Sequence, residues 1–428
     1  MLLPQQITIL LLDPSAFRGP TFTSTMDDIQ PVPGTGQSVA RVAFRAKRGL
    51  TIRSGWRVGA VSAGFPKRRV MVRLLLLAFL PLAAVLDYLV QGSAIWVFVA
   101  GSIAVAVLAD WVRRATEQVA IQVGPSIGGL LSVSFGSIAE LLLGLFVLMG
   151  SGATVVRAQI TGSIIATSLL GLGLAALAGG IKFESQTFNR ERAGLLSSML
   201  ILVVVALLLP EIFDLAIGMR QGRPNISWIT DERLSLAVSV VLLLLYGGNL
   251  LYTLVTHRDV FNSVTEERQA EAGWGLGRSL AVLVGATVAI AFGAEMISGA
   301  LDATARRLGL PPLFLGVVPL AMIGTSSDVL AAVTFGRQNR MNLVISICIG
   351  SAIQAALVIA PLLVLLSLAI GHPMTLVFNN PLDLFAIAGA AFIVNAIAAD
   401  GKTTWFEGLL LVGVYILLAL AYFFMGSA

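Results

Sequence analysis

From Val70 onward the sequence is a nearly continuous series of apolar runs, each about 20 residues long. A helix of about 20 apolar residues is long enough to cross the hydrocarbon core of a bilayer, which is about 30 Å thick. The chain is 57% hydrophobic and 12% charged, whereas soluble domains carry about 25% charged residues. The runs therefore exclude a soluble globular fold and predict an all-α integral membrane protein with the lipid bilayer as its main solvent.

Counting the runs predicts about eleven transmembrane helices. They lie near residues 70–90, 94–112, 124–149, 158–180, 193–217, 234–254, 276–299, 311–335, 343–370, 382–399 and 405–425. The organisation that we expect is a basic tail over residues 1–69, an extra first helix over 70–93, a five-helix repeat over 94–256, a cytoplasmic linker over 257–275 and a second five-helix repeat over 276–428. The tail is rich in Gly, Pro, Ser, Thr and Arg without periodicity, a composition that predicts disorder.

The basic residues indicate how the chain is oriented in the membrane. Eleven of the 28 Lys and Arg residues lie in the tail and at its edge, so membrane topology accounts for the net charge of +5 and no nucleic acid partner is expected. With a cytoplasmic N-terminus, 22 Lys and Arg face inward and 6 face outward, in agreement with the positive-inside rule. Without a recognisable organelle-targeting segment, we expect a bacterial inner membrane. The single cysteine, Cys348, excludes disulfides and cysteine-rich metal sites.

A short motif occurs in both the third run and the eighth run. The third contains GSIAE at Gly136–Glu140, and the eighth contains GTSSD at Gly324–Asp328. In each, a glycine is followed by a hydroxyl residue, two further residues and an acid. A Gly-Ser pair begins 22 positions after each acid, at Gly162 and at Gly350. A single offset of 188 residues relates all of these positions and indicates an internal repeat.

The direction of the helices makes this repeat inverted. Because the third and eighth helices are five crossings apart, they traverse the membrane in opposite senses. The sequence therefore predicts two inverted five-helix repeats with one extra helix before them. In many transporters, inverted repeats place the substrate site near the middle of the membrane.

Glu140 and Asp328 are the predicted centre of that site. A charged group in the middle of a bilayer costs at least about 2.5–3.5 kcal/mol, so it is retained where it faces a cavity, a partner or an ion. Hard cations such as Ca²⁺ take about six to eight oxygen ligands, including carboxylates and carbonyls. Two carboxylates also match a divalent charge, so we expect Glu140 and Asp328 to bind a metal cation. The other predicted members of the cation- and proton-binding site are Ser137, Thr325, Gly136, Gly324, Ser163, Ser351 and Gln354.

The two motif glycines allow close approach to the helix face that carries the acids. Helices that unwind at these glycines would add backbone carbonyls to the site, since free backbone groups are tolerated where they line a cavity. Burial and mutual repulsion favour protonation of two carboxyl groups when no cation is bound, so cation and protons would compete for one site. The alternative is that each acid is a protonated group that hydrogen-bonds across helices.

Five further polar residues are candidates for gate or accessory roles. They are Glu117, Glu295, Asn395, Asp400 and Glu407. Because Glu117 is flanked by Arg113 and Arg114, an interfacial ion pair is as good an interpretation as a gate. The last three border the tenth and eleventh runs, where snorkelling or turn formation is the alternative.

The motifs resemble those of the Ca²⁺/H⁺ antiporters, a family of the cation/Ca²⁺ antiporter superfamily that carries a Gly-Asn-x-x-Glu repeat in each half. The resemblance spans Val70 to Phe424. It also rests on GGIKFESQTFN at Gly179–Asn189, LLLLYGGNLLYTLVTH at Leu242–His257, GSAIQAAL at Gly350–Leu357, GHPMTLVF at Gly371–Phe378, Asn395, and DGKTTWFEG at Asp400–Gly408. It implies an eleven-helix antiporter in which Glu140 and Asp328 bind Ca²⁺ or protons and alternate access across the membrane. Gln354 occupies the position of the glutamine that the family carries in its second repeat.

The sequence departs from the family pattern at the site. Ser137 and Thr325 stand where the family usually has Asn, Asp328 stands where it usually has Glu, and Thr167 is near another customary Asn. An aspartate is one methylene shorter than a glutamate, and hydroxyls replace amide carbonyls. These changes leave a shift of selectivity toward Na⁺ or K⁺ open.

Secondary active exchange of a cation, first of all Ca²⁺, for protons is the resulting hypothesis. It requires no cofactor and no enzyme chemistry, and inorganic cations and protons are the expected partners; the oligomeric state stays open. A monovalent Na⁺(K⁺)/H⁺ antiporter is the nearest alternative, and a passive cation channel is another. An intramembrane two-aspartate protease is poorly supported because a Gly-x-Gly-Asp motif is absent.

Overall fold

The computed structural model describes residues 77–89, 94–124, 128, 131, 134–221, 228–252, 273–378 and 380–425. Within these ranges the protein is almost entirely helical, as the apolar runs predict. The predicted tail over residues 1–69 and most of the predicted linker over 257–275 lie outside the described residues. The structure therefore leaves the disorder of the tail and the conformation of the linker as predictions.

The described helices are numbered α1 to α11 in chain order. The first six are α1 Phe79–Leu89, α2 Ala94–Val123, α3 Ile138–Gly150, α4 Ala153–Gly180, α5 Arg190–Gln221 and α6 Trp228–Leu251. The next five are α7 Leu276–Leu308, α8 Pro312–Gly336, α9 Met341–Ala369, α10 Pro381–Asp400 and α11 Trp405–Met425. Two short strands complete the list, β1 Gln186–Thr187 and β2 Lys402–Thr403.

Nine of the helices in the described ranges are long and apolar enough to cross a membrane. The two others are α1, with 11 residues, and α3, a short apolar helix of 13 residues. Part of the sequence that precedes each of these two lies outside the described residues. The protein is thus a multi-pass membrane protein, and the count of eleven crossings stays a prediction.

Helix α2 is longer than the sequence predicts. The predicted run near 94–112 stops at the first basic residues, whereas α2 continues to Val123. The charged side chains beyond the run pair along the helix, because Arg113 donates to Glu117 at 2.6 Å and Arg114 donates to Asp110 at 2.9 Å. Such pairs one turn apart stabilise a helix, so the charges extend α2 rather than end it.

Contacts between connecting segments show which helix ends lie together. Gln122 near the end of α2 donates to the backbone carbonyl of Trp274 just before α7, at 2.7 Å. Gln186, after α4, donates to the carbonyl of Gly336 at the end of α8, at 2.9 Å. Strand β1 pairs antiparallel with β2, with Gln186 opposite Thr403. The ends of α4, α8 and α10 therefore meet at one face of the bundle, where the stretches around β1 and β2 form one ribbon. The end of α2 lies beside the start of α7.

The opposite face is defined by the ends of α3 and α7. The hydroxyl of Ser298 in α7 donates to the backbone carbonyl of Phe146 in α3 at 2.7 Å. Because α8 begins directly after α7, α3 ends on the face where α8 begins. Helices α3 and α8 thus run in opposite directions, as an inverted repeat requires.

Short π-helical segments interrupt three of the described helices. They span Ala166–Gly171 in α4, Gly316–Leu320 in α8 and Ala355–Ile359 in α9. Subtracting the offset of 188 from the segment in α9 gives residues 167–171, which lie inside the segment in α4. Segments of this kind are frequent at functional sites. The backbone irregularity therefore follows the same repeat as the sequence motifs.

Helices α4 and α8 cross in backbone contact. A Cβ added at Gly162 in α4 would overlap the backbone carbonyl oxygen of Val317, and a Cβ added at Gly316 in α8 would lie 2.7 Å from the carbonyl oxygen of Val155. Small residues permit this approach, as is common between membrane helices. The crossing fixes α4, which carries Ser163, against α8, which carries Asp328.

Candidate cation site

Glu140 lies in the first turn of α3, and 4% of its surface is exposed. Its Oε2 atom is buried and has no hydrogen-bond partner among the described residues. The backbone carbonyl of Glu140 accepts a hydrogen bond from Nε2 of Gln159 in α4 at 3.2 Å. A buried carboxylate oxygen is costly unless a donor or a cation satisfies it. The side chain thus presents an acceptor to a proton or a cation.

Asp328 lies within α8, and its carboxylate is held by neighbouring hydroxyls. Ser351 in α9 donates to one carboxylate oxygen. Ser327 lies 3.5 Å from the other oxygen. Hydrogen bonds from hydroxyls stabilise the charged form of a carboxylate, so the surroundings of Asp328 suit an anionic ligand group.

The two acids have symmetry-related serine partners. Ser163 in α4 is a side-chain hydrogen-bond partner of Glu140, and Ser351 in α9 is the corresponding partner of Asp328. The offset of 188 relates both the serines and the acids. The structure thus brings each predicted Gly-Ser pair to the acid of its own half.

Gly324 is the point at which the two motifs meet. A Cβ added at Gly324 would lie 2.8 Å from Cγ and 3.5 Å from Cα of Glu140. The side chain of Glu140 therefore packs on the backbone of α8 one turn before Asp328, and the two carboxylates interact electrostatically. The predicted centre of the site is thereby assembled from both halves of the protein.

Ser137 links the first motif to the second half of the chain. Its hydroxyl donates to Oε1 of Gln354 in α9 at 2.9 Å, and a Cβ added at Gly136 would lie 3.9 Å from the same oxygen. Gln354 is also a side-chain hydrogen-bond partner of Tyr246 in α6.

Gln354 and Tyr246 line a cavity of about 490 Å³ between α5, α6 and α9. The lining includes Tyr252, which is 40% exposed, so the cavity reaches from the surface to Gln354.

Thr325 occupies the position equivalent to Ser137 but has a different contact. Its hydroxyl donates to the backbone carbonyl of Ala321, within its own helix, at 2.8 Å. The backbone conformation at the two motifs also differs. Ser137 is a non-helical residue with φ −108° and ψ 20°, whereas Gly324 and Thr325 lie inside a regular helical stretch. In the second half the irregularity comes earlier, in the π-helical segment that contains Pro319, which cannot donate a backbone hydrogen bond.

The five accessory candidates lie in different surroundings. Glu117 pairs with Arg113 at 2.6 Å, and the amide oxygen of Asn395 accepts from Ser197 at 3.0 Å. Glu295 and Asp400 are exposed. Glu407 accepts from the backbone N–H of Thr404 at 2.9 Å and caps the start of α11. Of the five, Glu407 therefore has a structural contact that explains it, and the ion-pair interpretation describes the contact of Glu117.

Two residues next to the site were not among the sequence candidates. Gln159 bonds the backbone of Glu140, and Tyr246 bonds Gln354. A long amide side chain inside an apolar run was a usable signal for Gln159. Tyr246 had no such signal, because a tyrosine in a membrane helix is most often an apolar packing residue with one polar tip.

The side-chain atoms of the site that could coordinate a cation are oxygen atoms. In the part of the chain that the structure describes, no group of three or more His, Cys, Asp or Glu residues is placed to hold a metal ion. The two carboxylates and the hydroxyls of Ser163 and Ser351 instead form the set around Gly324. Oxygen donors of this kind suit hard cations such as Ca²⁺, Na⁺ and K⁺. A multi-helix membrane fold with two symmetry-related acids, of which Glu140 is buried and Asp328 half-buried, is typical of a membrane transporter.

Comparison with known proteins identifies the family. Residues 93–255 and 278–424 match the family described as sodium/calcium exchanger protein, and the chain belongs to this family. It is 36% identical over 363 residues to the Ca²⁺/H⁺ antiporter of Aphanothece halophytica, with 82% of this chain and 95% of the relative covered. It is 33% identical over 356 residues to the Ca²⁺/H⁺ antiporter ChaA of Bacillus subtilis, with 82% and 98% covered.

Solved structures show the same fold. The structure of native YfkE superposes with a TM-score of 0.71 at 29% identity, covering 82% of this chain and 99% of that chain. The crystal structure of the H⁺/Ca²⁺ exchanger CAX superposes with a TM-score of 0.60 at 17% identity, covering 84% and 93%. The resemblance inferred from the motifs is thus confirmed, and so is the helical membrane fold.

Proposed function

We propose that the protein is a secondary active antiporter that exchanges Ca²⁺ for protons. The family, the relatives that are named Ca²⁺/H⁺ antiporters and the oxygen-rich site all support this function. Glu140 and Asp328 act as the cation ligands and as the proton carriers. The protein needs no cofactor and performs no enzyme chemistry in this proposal.

The buried Oε2 of Glu140 is the observation that carries the proposal. It has no donor in the described part of the chain, and the side chain lies on Gly324, one turn from Asp328. Two carboxylates that face each other repel, and the repulsion is stronger where one of them, Glu140, is buried. A divalent cation relieves that repulsion, and so do protons. A cation and a proton cannot, however, occupy the same carboxylate oxygen at the same time. Mutually exclusive occupation is what couples the two fluxes.

The repeats supply the alternation of access in this proposal. Residues 94–256 and 276–428 form the two five-helix repeats, the helix over 70–93 lies outside their symmetry, and residues 257–275 link them. The backbone contact between α4 and α8 at Gly162 is close, whereas a Cβ at the equivalent Gly350 would meet no atom of the described residues within 4 Å. Within the described residues, Gly162 is thus closely packed and Gly350 lines the cavity next to Gln354, as expected when one side of a site is closed and the other is open.

The other predicted site residues complete the cation shell. They are Ser137, Thr325, Gly136, Gly324, Ser163, Ser351 and Gln354.

For the membrane, we propose a bacterial inner membrane with the N-terminus in the cytoplasm, on the basis of the Lys and Arg distribution. In that orientation the face with β1 and β2 is cytoplasmic.

Ion-flux measurements on the purified protein in sealed vesicles test the function. With an interior acidic pH gradient and an internal pH-sensitive dye, adding Ca²⁺ outside is expected to release protons and to load radioactive Ca²⁺. Flux that persists unchanged without a pH gradient, and that moves no protons, would instead indicate a passive channel. Proton release by Na⁺ or K⁺ but not by Ca²⁺ would replace the proposal by monovalent exchange, the alternative that Ser137 and Thr325 leave open.

A further inference from the structure

The connection between α9 and α10 enters the bundle as an irregular segment. Residues 374–378 form neither helix nor strand, yet each of them has at most 3% of its surface exposed. Irregular backbone at membrane depth is tolerated where it is buried in protein or lines a water-filled cavity, and a buried backbone N–H or C=O group needs a partner. Segment 374–378 is therefore built into the protein rather than left as a loop on its surface.

Two serines hold the backbone of segment 374–378. The hydroxyl of Ser367, near the end of α9, accepts from the N–H of Met374 at 3.0 Å, and that of Ser235 in α6 accepts from the N–H of Leu376 at 2.9 Å. Because α5 and α9 begin at the face with β1 and β2, α9 ends and α6 begins at the opposite face. Ser235 lies seven residues after Trp228, the first residue of α6, so the segment reaches about 10 Å into the bundle from that face.

A buried arginine joins the segment to α4. Nη1 of Arg157 lies 3.4 Å from both the carbonyl oxygen and the hydroxyl oxygen of Thr375, and 8% of the surface of Arg157 is exposed. Two residues further along α4, Gln159 donates to the backbone carbonyl of Glu140 at 3.2 Å. Segment 374–378 and the cation site are thus fastened to neighbouring residues of one helix.

Between Glu140 and the face opposite to β1 and β2, the protein is tightly packed. Gly144 lies one turn after Glu140 in α3, and a Cβ there would lie 2.8 Å from Cδ1 of Leu363 in α9. One turn after Leu363 comes Ser367, which holds Met374. Helices α3 and α9 both run toward this face, so segment 374–378 lies on this side of the site.

The cavity lies on the other side of the site. Its lining includes Tyr252 at the end of α6 and Ser346 near the start of α9, which are the helix ends at the face with β1 and β2. From there the cavity reaches Gln354. Helices α6 and α9 therefore line the cavity and also carry the serines that hold segment 374–378. The structure is open toward one face and closed toward the other.

The corresponding connection of the first half is less buried. The offset of 188 relates segment 374–378 to residues 186–190, which include β1. In that connection Thr187, Asn189 and Arg190 are exposed, whereas segment 374–378 is buried throughout. Equivalent connections of an inverted repeat lie at opposite faces of the membrane. The deeper insertion therefore coincides with the face at which the site is closed.

We propose that segment 374–378 is a plug that closes the cation site toward the face opposite to β1 and β2. The plug has to separate from α6 and α9 before the cation can leave on that side. This inference rests on the proposed exchange function and deepens it by naming the barrier that one of the two access states removes. Side-chain hydrogen bonds hold the plug, and each contributes modestly to stability, so the segment can separate without unfolding a helix.

A reversible crosslink between the segment and α6 tests the plug. Ser235→Cys combined with Leu376→Cys places two thiols at a contact where the backbone nitrogen and the serine Oγ are 2.9 Å apart. The native Cys348 is 1% exposed and is left in place. In sealed vesicles the reduced double variant is expected to exchange Ca²⁺ for protons, oxidation to stop the exchange, and a reducing agent to restore it. The two single variants are the controls, and oxidation should leave their exchange unchanged.

Binding of radioactive Ca²⁺ to the oxidised protein in detergent separates a plug from damage to the site. The crosslinked protein should bind Ca²⁺ with the affinity of the reduced protein, because the side with the cavity stays open. Exchange at the unchanged rate after crosslinking would overturn the proposal, and so would loss of Ca²⁺ binding together with exchange, or thiols that do not crosslink.

A second pair keeps the test decisive if the first double variant is inactive when reduced. Ser367→Cys with Met374→Cys makes the same crosslink at the contact with α9, where the backbone nitrogen and the serine Oγ are 3.0 Å apart. The same loss of exchange with retained Ca²⁺ binding is expected. If the unchanged protein moves no Ca²⁺ against protons in these vesicles, the proposed function fails; if it does so and the crosslinked protein matches it, only the plug fails.

Discussion

At the scale of single residues, the contact between Glu140 and Gly324 determines what the site can do. Any side chain at position 324 would push against Cγ of Glu140, so the glycine is what allows a carboxylate from one half to reach the acid of the other. In the described part of the chain, the buried Oε2 of the same side chain has no hydrogen-bond partner. The position of the Glu140 carboxylate is therefore sensitive to displacements of the α8 backbone by a fraction of an ångström.

Gly324→Ala is therefore expected to inactivate exchange without unfolding the protein. The new Cβ would lie 2.8 Å from Cγ of Glu140, and the glutamate must rotate away to accommodate it. We expect the initial rate of Ca²⁺ exchange to fall at least about tenfold, since small misplacements of reacting groups cost this much or more. Gly299→Ala in α7, where a Cβ would meet none of the described atoms within 4 Å, is the control. Equal rates for the two variants would show that the contact with Glu140 does not matter.

At the scale of helices, the crossing of α4 and α8 holds the site together. Gly162 and Gly316 let the two backbones touch, and the crossing places Ser163 and Asp328 on neighbouring helices. Helix α9 is the counterpart of α4, but a Cβ at Gly350 would meet none of the atoms that the structure describes within 4 Å. We therefore expect alanine substitutions at the two equivalent glycines to have opposite effects on the stability of the protein.

Gly162→Ala is expected to destabilise the protein, and Gly350→Ala is not. At Gly162 the added methyl overlaps the carbonyl oxygen of Val317 and lies 2.6 Å from Cβ of Ala321, and backbone atoms cannot rotate away. Overpacking of this kind costs about 1–3 kcal/mol. At Gly350 the described part of the chain leaves space for a methyl group, and alanine favours a helix over glycine by about 1 kcal/mol. Thermal unfolding in detergent measures both; a lower Tm for Gly350→Ala than for Gly162→Ala would contradict the packing described here.

The helices also show what the sequence can and cannot predict. The repeat of Glu140 and Asp328 was readable because both halves retain the same motif at a constant offset. The bond between Ser137 and Gln354 was not readable, because it joins residues of different halves and depends on how the helices pack. The predicted end of α2 was too early because hydropathy treats Arg113 and Arg114 as interruptions, whereas their pairing with Glu117 and Asp110 continues the helix.

At the scale of the whole molecule, the two faces of the bundle have distinct connections. The face with β1 and β2 joins the ends of α4, α8 and α10 through side-chain and strand contacts. The opposite face carries the ends of α3 and α7. The fold fixes which connections share a face, and the orientation proposed from the positive-inside rule would place the ribbon face in the cytoplasm.

Cysteine accessibility tests this orientation. Gln338, between α8 and α9, is exposed on the ribbon face, and Leu308, at the end of α7, is 50% exposed on the other face. The native Cys348 is 1% exposed and is not expected to react. A membrane-impermeant maleimide should label Gln338→Cys in inside-out vesicles and Leu308→Cys in intact spheroplasts. The reverse labelling pattern would mean that the protein lies in the membrane with the opposite orientation.

The central claim is that Glu140 and Asp328 together carry the exchange. The most direct measurement is Ca²⁺-driven proton release from sealed vesicles for Glu140→Gln and Asp328→Asn, with the exposed residues Glu184 and Asp302 changed to Gln and Asn as matched controls. Each site variant keeps its shape but loses the charge, so we predict proton release at the level of empty vesicles for both. The controls should match the unchanged protein. Proton release at the unchanged rate in either site variant would contradict the claim.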